Sequence, residues 1–387
     1  MQYYNFGEKS GRYIGRSQKY DIYASSITKI TKITEIPDEF EIKNSGEIYF
    51  NYGPSAGGLR ESVNFKLLTP GESIRDVVIN PEYKQRDIKI LGDDVARALL
   101  KVERINGFHG ASNSIAYILA VEDALNIENS ELNNMRIVEL ELERIRSNID
   151  VIKGLCESAG FAVPEKQLLY LREEVARIIS RAFSHRYYFS ANGIGSIKGD
   201  FSTIKLNGIE KKFRDIYDGL LSSKIFLDRI QENGIIKNEQ STGPAARAAG
   251  FKFDARKDSK SLDYGHFIPI TETGGDSFSR FVVRAEEIFE SISIIDSYNI
   301  KNAEAGKKKE ASGSGEGTAR IESPAGDIFY YVNIENGKLR DIQTVSPTYL
   351  NLRLFRQALK NNNIFTDFFF VWESFGIWIS ELEVNFI

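Results

Sequence analysis

The sequence predicts an α+β fold: a central bundle of long helices, with small antiparallel β-sheets contributed by the N-terminal and C-terminal regions. Two observations carry that reading. Four segments between residues 135 and 295 set apolar residues at alternating steps of three and four, the stripe of helices packed side by side. Residues 1–50 and 318–345 instead interleave tyrosines and β-branched residues with polar ones, between turn-forming clusters. The pattern divides the chain into an N-terminal β region, 1–50, and one larger domain, 51–387.

Taken in order, residues 1–50 read as strands. Within them Ile27, Ile30, Ile33 and Ile36 recur every third residue, a period that suits neither strand nor α-helix. Asn51-Tyr52-Gly53-Pro54-Ser55-Ala56-Gly57-Gly58 is a turn cluster, and a strand-like run starts at Val63. Asp93 or Asp94 is placed to cap a helix over Val95 to Arg104. Next comes a turn of small residues (Asn106, Gly107, Gly110, Ala111, Ser112) that carries His109 and feeds an apolar helix ending near Asn126. Small residues there let backbone approach something closely.

The first periodic segment runs through Met135, Val138, Leu142, Ile145, Ile149 and Ile152. A second follows Pro164, a residue suited to a first helical turn, through Leu168, Leu171, Val175, Ile178 and Ala182. Phe213, Ile216, Leu220, Leu227 and Ile230 predict a third helix stopped by Gly234; Phe281, Ala285, Ile288, Ile292 and Ile295 predict the fourth. Between these two lies a Gly/Ala-rich loop, Ser241 to Asp258, with Arg247, Asp254 and Arg256. After the fourth helix, Ala303 to Glu316 reads as a solvated Gly/Lys/Ser loop holding Lys307, Lys308 and Lys309. Thr318–Glu322 and Ile328–Ile334 predict a hairpin, with a third strand over Leu339 to Val345. A helix near Leu350 to Lys360 and an aromatic segment, Phe368 to Ile379, close the chain.

Composition narrows the function. The 50 basic and 54 acidic residues are well mixed and leave a net charge of −4, without the basic footprint of a nucleic-acid-binding protein. A single cysteine, Cys156, excludes an internal disulfide and any multi-cysteine zinc or iron–sulfur site built by this chain alone. The start lacks the apolar stretch of a signal peptide. No run reaches the ~18–20 apolar residues of a membrane span, since Asp367 and Glu373 interrupt Phe365 to Ile379. The expectation is a cytoplasmic chain, peripheral to a membrane through its partners.

Nucleotide and hydrolase motifs are absent. Gly193-Ile194-Gly195-Ser196-Ile197-Lys198-Gly199 follows a helix rather than a strand, so it does not fit a dinucleotide loop. Gly313-Ser314-Gly315-Glu316-Gly317 leads into a strand and reads as a linker. There is no P-loop and no GxSxG elbow beside His109, His185 or His266.

What the chain does carry is an ordered set of landmarks. It begins with Asn51-Tyr52-Gly53-Pro54 and Gly58-Leu59-Arg60, then Arg104-Ile105-Asn106-Gly107 leading to Ala116-Tyr117 and Glu122. Glu141-x-x-Arg144 follows, then Thr242-Gly243-Pro244-x-x-Arg247 with Asp254-x-Arg256-Lys257, and Gly275-Asp276-x-x-x-Arg280-x-x-x-Arg284. Gly315-Glu316-Gly317, Glu322-x-Pro324-x-Gly326 and Pro347-Thr348-Tyr349-Leu350-Asn351-Leu352 complete the set. Over residues 50 to 387 it resembles two related families. One is the large subunit of energy-converting, membrane-bound [NiFe] hydrogenases; the other is the D subunit of complex I (NADH:quinone oxidoreductase).

The departures from those families bear on function. The hydrogenase relatives hold nickel and iron by four thiolates; the matching positions here are Asn106, His109, Ile377 and Ser380, with Phe375-Gly376 in place of Asp-Pro. Nickel in such sites needs soft donors, so the resemblance implies no hydrogenase activity and no metal held by this chain. Complex I relatives use the vacated cavity for a quinone headgroup. Their histidine, tyrosine and aspartate correspond here to the Ser55–Ala56 stretch, to Gly107 and to the neighbourhood of Ser158. Arg60 matches the arginine that relatives place near the terminal iron–sulfur cluster of a partner subunit.

Two expectations follow from the resemblance. In the first, the chain is a D-type subunit on the cytoplasmic side of the membrane, docked on a small iron–sulfur subunit and on membrane subunits. It binds no cofactor itself and shows no dedicated NAD site. Electrons reach a quinone-like acceptor in a cavity between the Gly53–Gly58 turn and the His109 turn. His109 donates the proton and Arg60 tunes the partner's cluster. Ser55, Asn106, Gly107, Trp372, Phe375 and Ile377 line the space. In the second, the chain is a catalytically silent structural subunit, with Phe375, Ile377 and Trp378 filling the old metal cavity. A solid interior between Asn106, His109, Gly376 and Ile377 favours the second; an open one favours the first.

Overall fold

The computed structural model describes residues 13–17, 20–23, 46, 48–237, 241–258, 261–298, 300, 306, 311–360, 363–382 and 384–387. The 27–36 triplet repeat and Lys307 to Lys309 lie outside them. Strands β1 (Tyr13–Ser17) and β2 (Tyr20–Tyr23) pair as an antiparallel hairpin. Strand β3 (Ile48–Tyr52) spans the boundary drawn at residue 50 and joins β4 (Asn64–Thr69) and β5 (Asp76–Asn80) in an antiparallel meander, with Tyr52 opposite Phe65 and Phe65 opposite Ile79.

Strand β6 (Arg86–Ile88) precedes α1 (Val95–Val102), whose first turn is capped by Asp94: its Oδ1 accepts from the Arg97 amide at 2.9 Å. The small-residue turn then opens α2 (Gly110–Ala124), a helix buried nearly all round. Helices α3 (Asn133–Ser158) and α4 (Ala162–Phe183) follow, and a two-residue hairpin, β7 (Asn192–Gly193) and β8 (Ser196–Ile197), occupies the glycine-rich stretch after α4.

The third periodic segment is two helices rather than one: α5 (Asn207–Leu221) and α6 (Lys224–Ile230). Ser223 turns extended and its hydroxyl accepts from the Phe226 amide, so a new N-cap interrupts a stripe that reads as continuous. The Ser241–Asp258 loop contains two short helices, α7 (Gly243–Ala248) and α8 (Ala255–Asp258). Helix α9 (Ser277–Ser297) is capped by Asp276, whose Oδ1 accepts from the Ser279 amide at 2.8 Å.

Strands β9 (Gly315–Ser323), β10 (Gly326–Glu335) and β11 (Lys338–Val345) form an antiparallel sheet in the order β11-β10-β9, as the alternation predicts. Gly315-Glu316-Gly317 is part of β9, not a linker. A Cβ at Gly317 would stand 2.2 Å from the Ala120 carbonyl, so these glycines let the strand lie against α2. Helices α10 (Pro347–Leu359) and α11 (Phe368–Phe375) and strand β12 (Val384–Phe386) end the chain. β12 pairs in parallel with β6, a three-residue match with no periodic signal.

Helix α3 is the axis of the molecule. Helices α4, α9 and α11 pack on it, and α2 lies between it and the β9–β10 sheet. Its apolar stripe behaves as the spacing predicts, but its polar side is buried too: Arg136, Glu139, Glu141, Glu143, Arg144, Arg146 and Asp150 all sit inside. A second core gathers Phe65, Phe355, Phe368, Trp372 and Phe375, with Phe65 and Phe355 each 5.0 Å from Trp372 between ring centroids. Trp372 and Phe375 are therefore core members and not the lining of an open pocket. The consecutive aromatics of α11 have β4 and α10 to bury against.

Candidate functional site

The Asn106–Gly110 turn meets the C-terminal tail at one carboxylate, Glu381. Asn106 Oδ1 accepts from the Phe108 amide at 3.0 Å, which closes the turn and aims its Nδ2 at Glu381 Oε1, 2.7 Å away. His109 is fully buried, with Nδ1 2.6 Å from the same oxygen. An ionised carboxylate only accepts, so Nδ1 carries the hydrogen of this contact. The other oxygen, Oε2, accepts from Ser346 Oγ at 2.5 Å and Thr348 Oγ1 at 3.1 Å. Burial opposes ionisation of Glu381, yet His109, Ser346 and Asn106 outweigh it and hold the carboxyl below its ordinary range. Across the ring, His109 Nε2 faces Ser147 Oγ of α3 at 3.4 Å.

Aromatic rings close the remaining space. Trp378 stacks on Phe108 at 4.7 Å and meets the His109 ring edge-on at 5.9 Å. The crevice lined by Arg60, Glu61, Trp372, Glu373, Gly376, Ile377 and Ile379 holds about 10 Å³. A drug-sized ligand site needs roughly 300 Å³ or more. Ser55 lies exposed on its turn, and Gly107 is half-buried. Of the residues expected to bound a cavity, the structure thus brings together Asn106 and His109. It sets Ile377 on the crevice wall, puts Trp372 and Phe375 in the core, and leaves Ser55 at the surface.

The residues that complete the site were missed from the sequence: Glu381, Ser346, Thr348 and Ser147. A signal existed for Glu381, an acid in an apolar tail next to Ser380. Its Oε2 side borders a surface cleft of about 460 Å³ lined by Ser346, Tyr349, Leu382 and Asn385.

Arg60 is about a quarter exposed and bridges buried acids: it ion-pairs with Asp150, and its Nη2 lies 2.5 Å from Glu373 Oε2. Burial raises the Glu373 carboxyl despite Arg60, whereas Asp150, held by Arg60 and Arg172 against its burial, stays low. The guanidinium also faces Trp378, 5.7 Å from its ring. The loop residues Arg247, Asp254 and Arg256 build a separate buried lattice. Arg247 reaches Asp254 at 2.9 Å, Glu287 at 2.6 Å and Glu322 at 2.7 Å. His185 Nδ1 accepts from the Tyr187 amide at 3.1 Å, a structural use, and His266 is exposed.

Residues 163–312 match the family described as respiratory-chain NADH dehydrogenase, 49 Kd subunit. Over 353 residues the chain is 26% identical to the NADH-quinone oxidoreductase D 2 subunit of Solibacter usitatus, covering 83% of this chain and 93% of that protein. It is 24% identical over 351 residues to the membrane-bound hydrogenase alpha subunit of Pyrococcus furiosus, covering 81% and 82%. Over most of its length the chain is thus similar both to NADH-quinone oxidoreductase D subunits and to a membrane-bound hydrogenase subunit. Another relative is the D subunit of the F(420)H(2) dehydrogenase of Methanosarcina mazei, 28% identical over 316 residues and covering 77% and 84%. The fold of this chain is also that of a chain in the membrane-bound sulfane sulfur reductase, an archaeal respiratory membrane complex: TM-score 0.80, 19% identity, 89% of this chain and 100% of that one. Among the described residues no helix is long and apolar enough to cross a membrane.

The donor set here does not suit a nickel–iron centre: at the positions that the resemblance matches to thiolates, Asn106, His109, Ile377 and Ser380 offer an amide, an imidazole, an alkyl group and a hydroxyl. The one thiol, Cys156, belongs to the apolar core, where burial pushes it up to about 12.

Proposed function

We propose that this D-type chain is a peripheral, architectural subunit of a complex I-like respiratory assembly, with its ancestral pocket permanently closed. In this reading it sits on a small iron–sulfur subunit at the cytoplasmic side of the membrane, beside membrane subunits. It runs neither hydrogenase chemistry nor acceptor reduction in that pocket. The observation that carries the reading is Glu381: its two oxygens take hydrogen bonds from Asn106, His109, Ser346 and Thr348 where an open site would need space. The names of its relatives, subunits of quinone- and F(420)H(2)-linked dehydrogenases and of a membrane-bound hydrogenase, support the assembly.

A second reading has one observation in its favour. The 460 Å³ cleft gives the His109–Glu381 pair a route to solvent, which suits a proton donor. A quinone-like acceptor would then be reduced at the face shared with the iron–sulfur subunit, with His109 donating the proton and Arg60 tuning the partner's cluster.

One experiment separates the two. The complex is purified from native membranes carrying wild type, His109→Gln or Glu381→Gln, and quinone reduction is measured per assembled complex. The architectural role predicts lower yield with unchanged turnover per complex. Turnover that falls at least tenfold in fully assembled complexes overturns it.

A further inference from the structure

Helix α3 carries a second buried polar feature, two turns from the residue that touches His109. Glu139 is fully buried, and Asn192 Nδ2 donates to its Oε1 at 2.6 Å while also lying 3.1 Å from Ser114 Oγ. Its other oxygen, Oε2, has no hydrogen-bond partner among the described residues, and neither does the hydroxyl of the fully buried Tyr188. Buried polar atoms are almost always satisfied, by protein or by an ordered water. Glu139 and the Tyr188 hydroxyl lie close enough for the acid's charge to act on the phenol, so the two unpartnered atoms belong to one polar region.

The backbone adds an independent sign. Tyr188 sits at φ +62°, a left-handed conformation that is an outlier for a bulky side chain and is kept only where the surroundings enforce it. The connector that follows it, Ser190 to Asn192, lines a cleft of about 890 Å³ between α1 and the β10–β11 turn. Asn192 therefore bonds to the buried acid on one side and borders solvent on the other.

Charge decides which form of Glu139 this environment accepts. Arg136, one turn away, gives both terminal nitrogens to Glu122 at 2.9 and 2.6 Å. Arg146 spends its terminal nitrogens on the carbonyls of Arg186 and Phe108 and faces the Tyr188 ring at 5.9 Å; its Nε and that of Arg136 have no partner among the described residues. The remaining titratable neighbours, Glu143 on the same helix and Glu103 after α1, are acids that oppose a second negative charge. Glu143 is already committed to the start of α2, accepting from the amides of Ala111 at 2.8 Å and Ser112 at 3.0 Å.

We propose that Glu139 and Tyr188 form an internal proton-holding site: a neutral carboxylic acid bridged to the tyrosine hydroxyl by one water, beneath the cleft floor at Asn192. In this arrangement Oε1 is the carbonyl oxygen that accepts from Asn192, and Oε2 carries the proton and donates it to the water. The water in turn meets the Tyr188 hydroxyl. Burial, which pushes the Glu139 carboxyl up to about 8 against the pull of Asn192, agrees with that form at neutral pH. Glu139, Glu143 and Ser147 recur at i, i+4 and i+8 on one face of α3, so the site lies about 12 Å along the helix from Ser147 and hence from His109. The inference goes beyond the architectural role and does not depend on it.

Infrared difference spectroscopy on the full-length chain tests the site through protonation rather than assembly or turnover. Wild type is expected to show a protonated-carboxyl C=O band at pH 7 that shifts in deuterated water and bleaches as pH rises through about 8. Glu139→Gln should remove the component that bleaches near pH 8, leaving that of other raised carboxyls such as Glu290 and Glu322, which lie lower at about 7. Tyr188→Phe should keep the band but move its frequency, because the bridge is lost, and this variant serves where Glu139→Gln does not fold. A wild-type spectrum without such a band at pH 7 overturns the proposal. So does a band whose intensity Glu139→Gln leaves unchanged, or a wild-type-minus-Glu139→Gln component that Tyr188→Phe leaves unmoved.

Discussion

His109 Nδ1 and Glu381 Oε1 stand 2.6 Å apart, joining the turn before α2 to the tail after α11 across 272 residues of chain. Neither residue contacts bulk solvent appreciably, so the pair acts as a clasp between two distant segments. Removing one partner leaves the other's polar atoms buried and unmatched.

Glu381→Ala should accordingly lower the unfolding free energy by about 3–5 kcal/mol, the range for breaking a buried pair on one side. Equilibrium urea denaturation measures it. The sign of the pH dependence follows from the depressed folded-state carboxyl. The stabilisation is fully present above the unfolded value of about 4.3 and is lost as pH falls through the lower folded value. Glu381→Gln should flatten that acid limb.

Glu139 has the opposite sign. Its folded carboxyl lies at about 8 against an unfolded value of about 4.3, so wild-type stability should fall as pH rises between them and level off above. Glu139→Gln should lack this slope, and unfolding midpoints collected from pH 5 to pH 9 would display the difference.

Arg247 is the cation to which Asp254, Glu287 and Glu322 converge. Arg247→Ala should cost about 3–5 kcal/mol or prevent folding, because Glu322 loses its cation and Asp254 and Glu287 are left to share Arg256 alone. Arg247→Lys should recover only part of the loss, since an ammonium cannot reproduce the planar fork. Thermal unfolding of both variants provides the check.

Gly376 ends α11 at φ +64°, and a Cβ there would stand 2.6 Å from Arg284 Nη2. That approach lets Arg284 donate to the Phe375 carbonyl at 2.8 Å. Gly376→Ala should therefore destabilise by roughly 1–3 kcal/mol through strained backbone and displaced guanidinium. A drop in thermal midpoint without loss of helical circular dichroism is the expected result.

The parts legible in the sequence are those built from long apolar periods. The stripes through Ile145 and Ile149, through Leu171 and Val175, and through Ile288 and Ile292 announce α3, α4 and α9, and alternation around Pro324 announces the β9–β10 hairpin. Periodicity could not show the cap at Ser223 that splits α5 from α6, nor a β6–β12 pairing only three residues long. It was equally blind to the burial of α3's polar side. The apolar stripe says nothing of acids such as Glu139 and Glu143, which the start of α2 and Asn192 cover. At the site, the turn residues Asn106 and His109 were found because they sit in a marked loop. Glu381 was overlooked because its partners arrive from Ser346 and Thr348, more than thirty positions away.

On the architectural reading, the occupation of the old cavity by Glu381 makes the loss of metal chemistry a one-way step. Writing cysteines back at 106, 109, 377 and 380 would not rebuild a nickel cradle: the anion, anchored by Ser346 and Thr348, and the Trp378 ring already hold the volume. A reversion would have to evict these plugs at the same time as it restored the ligands, and each intermediate would carry an uncompensated buried charge or a hole.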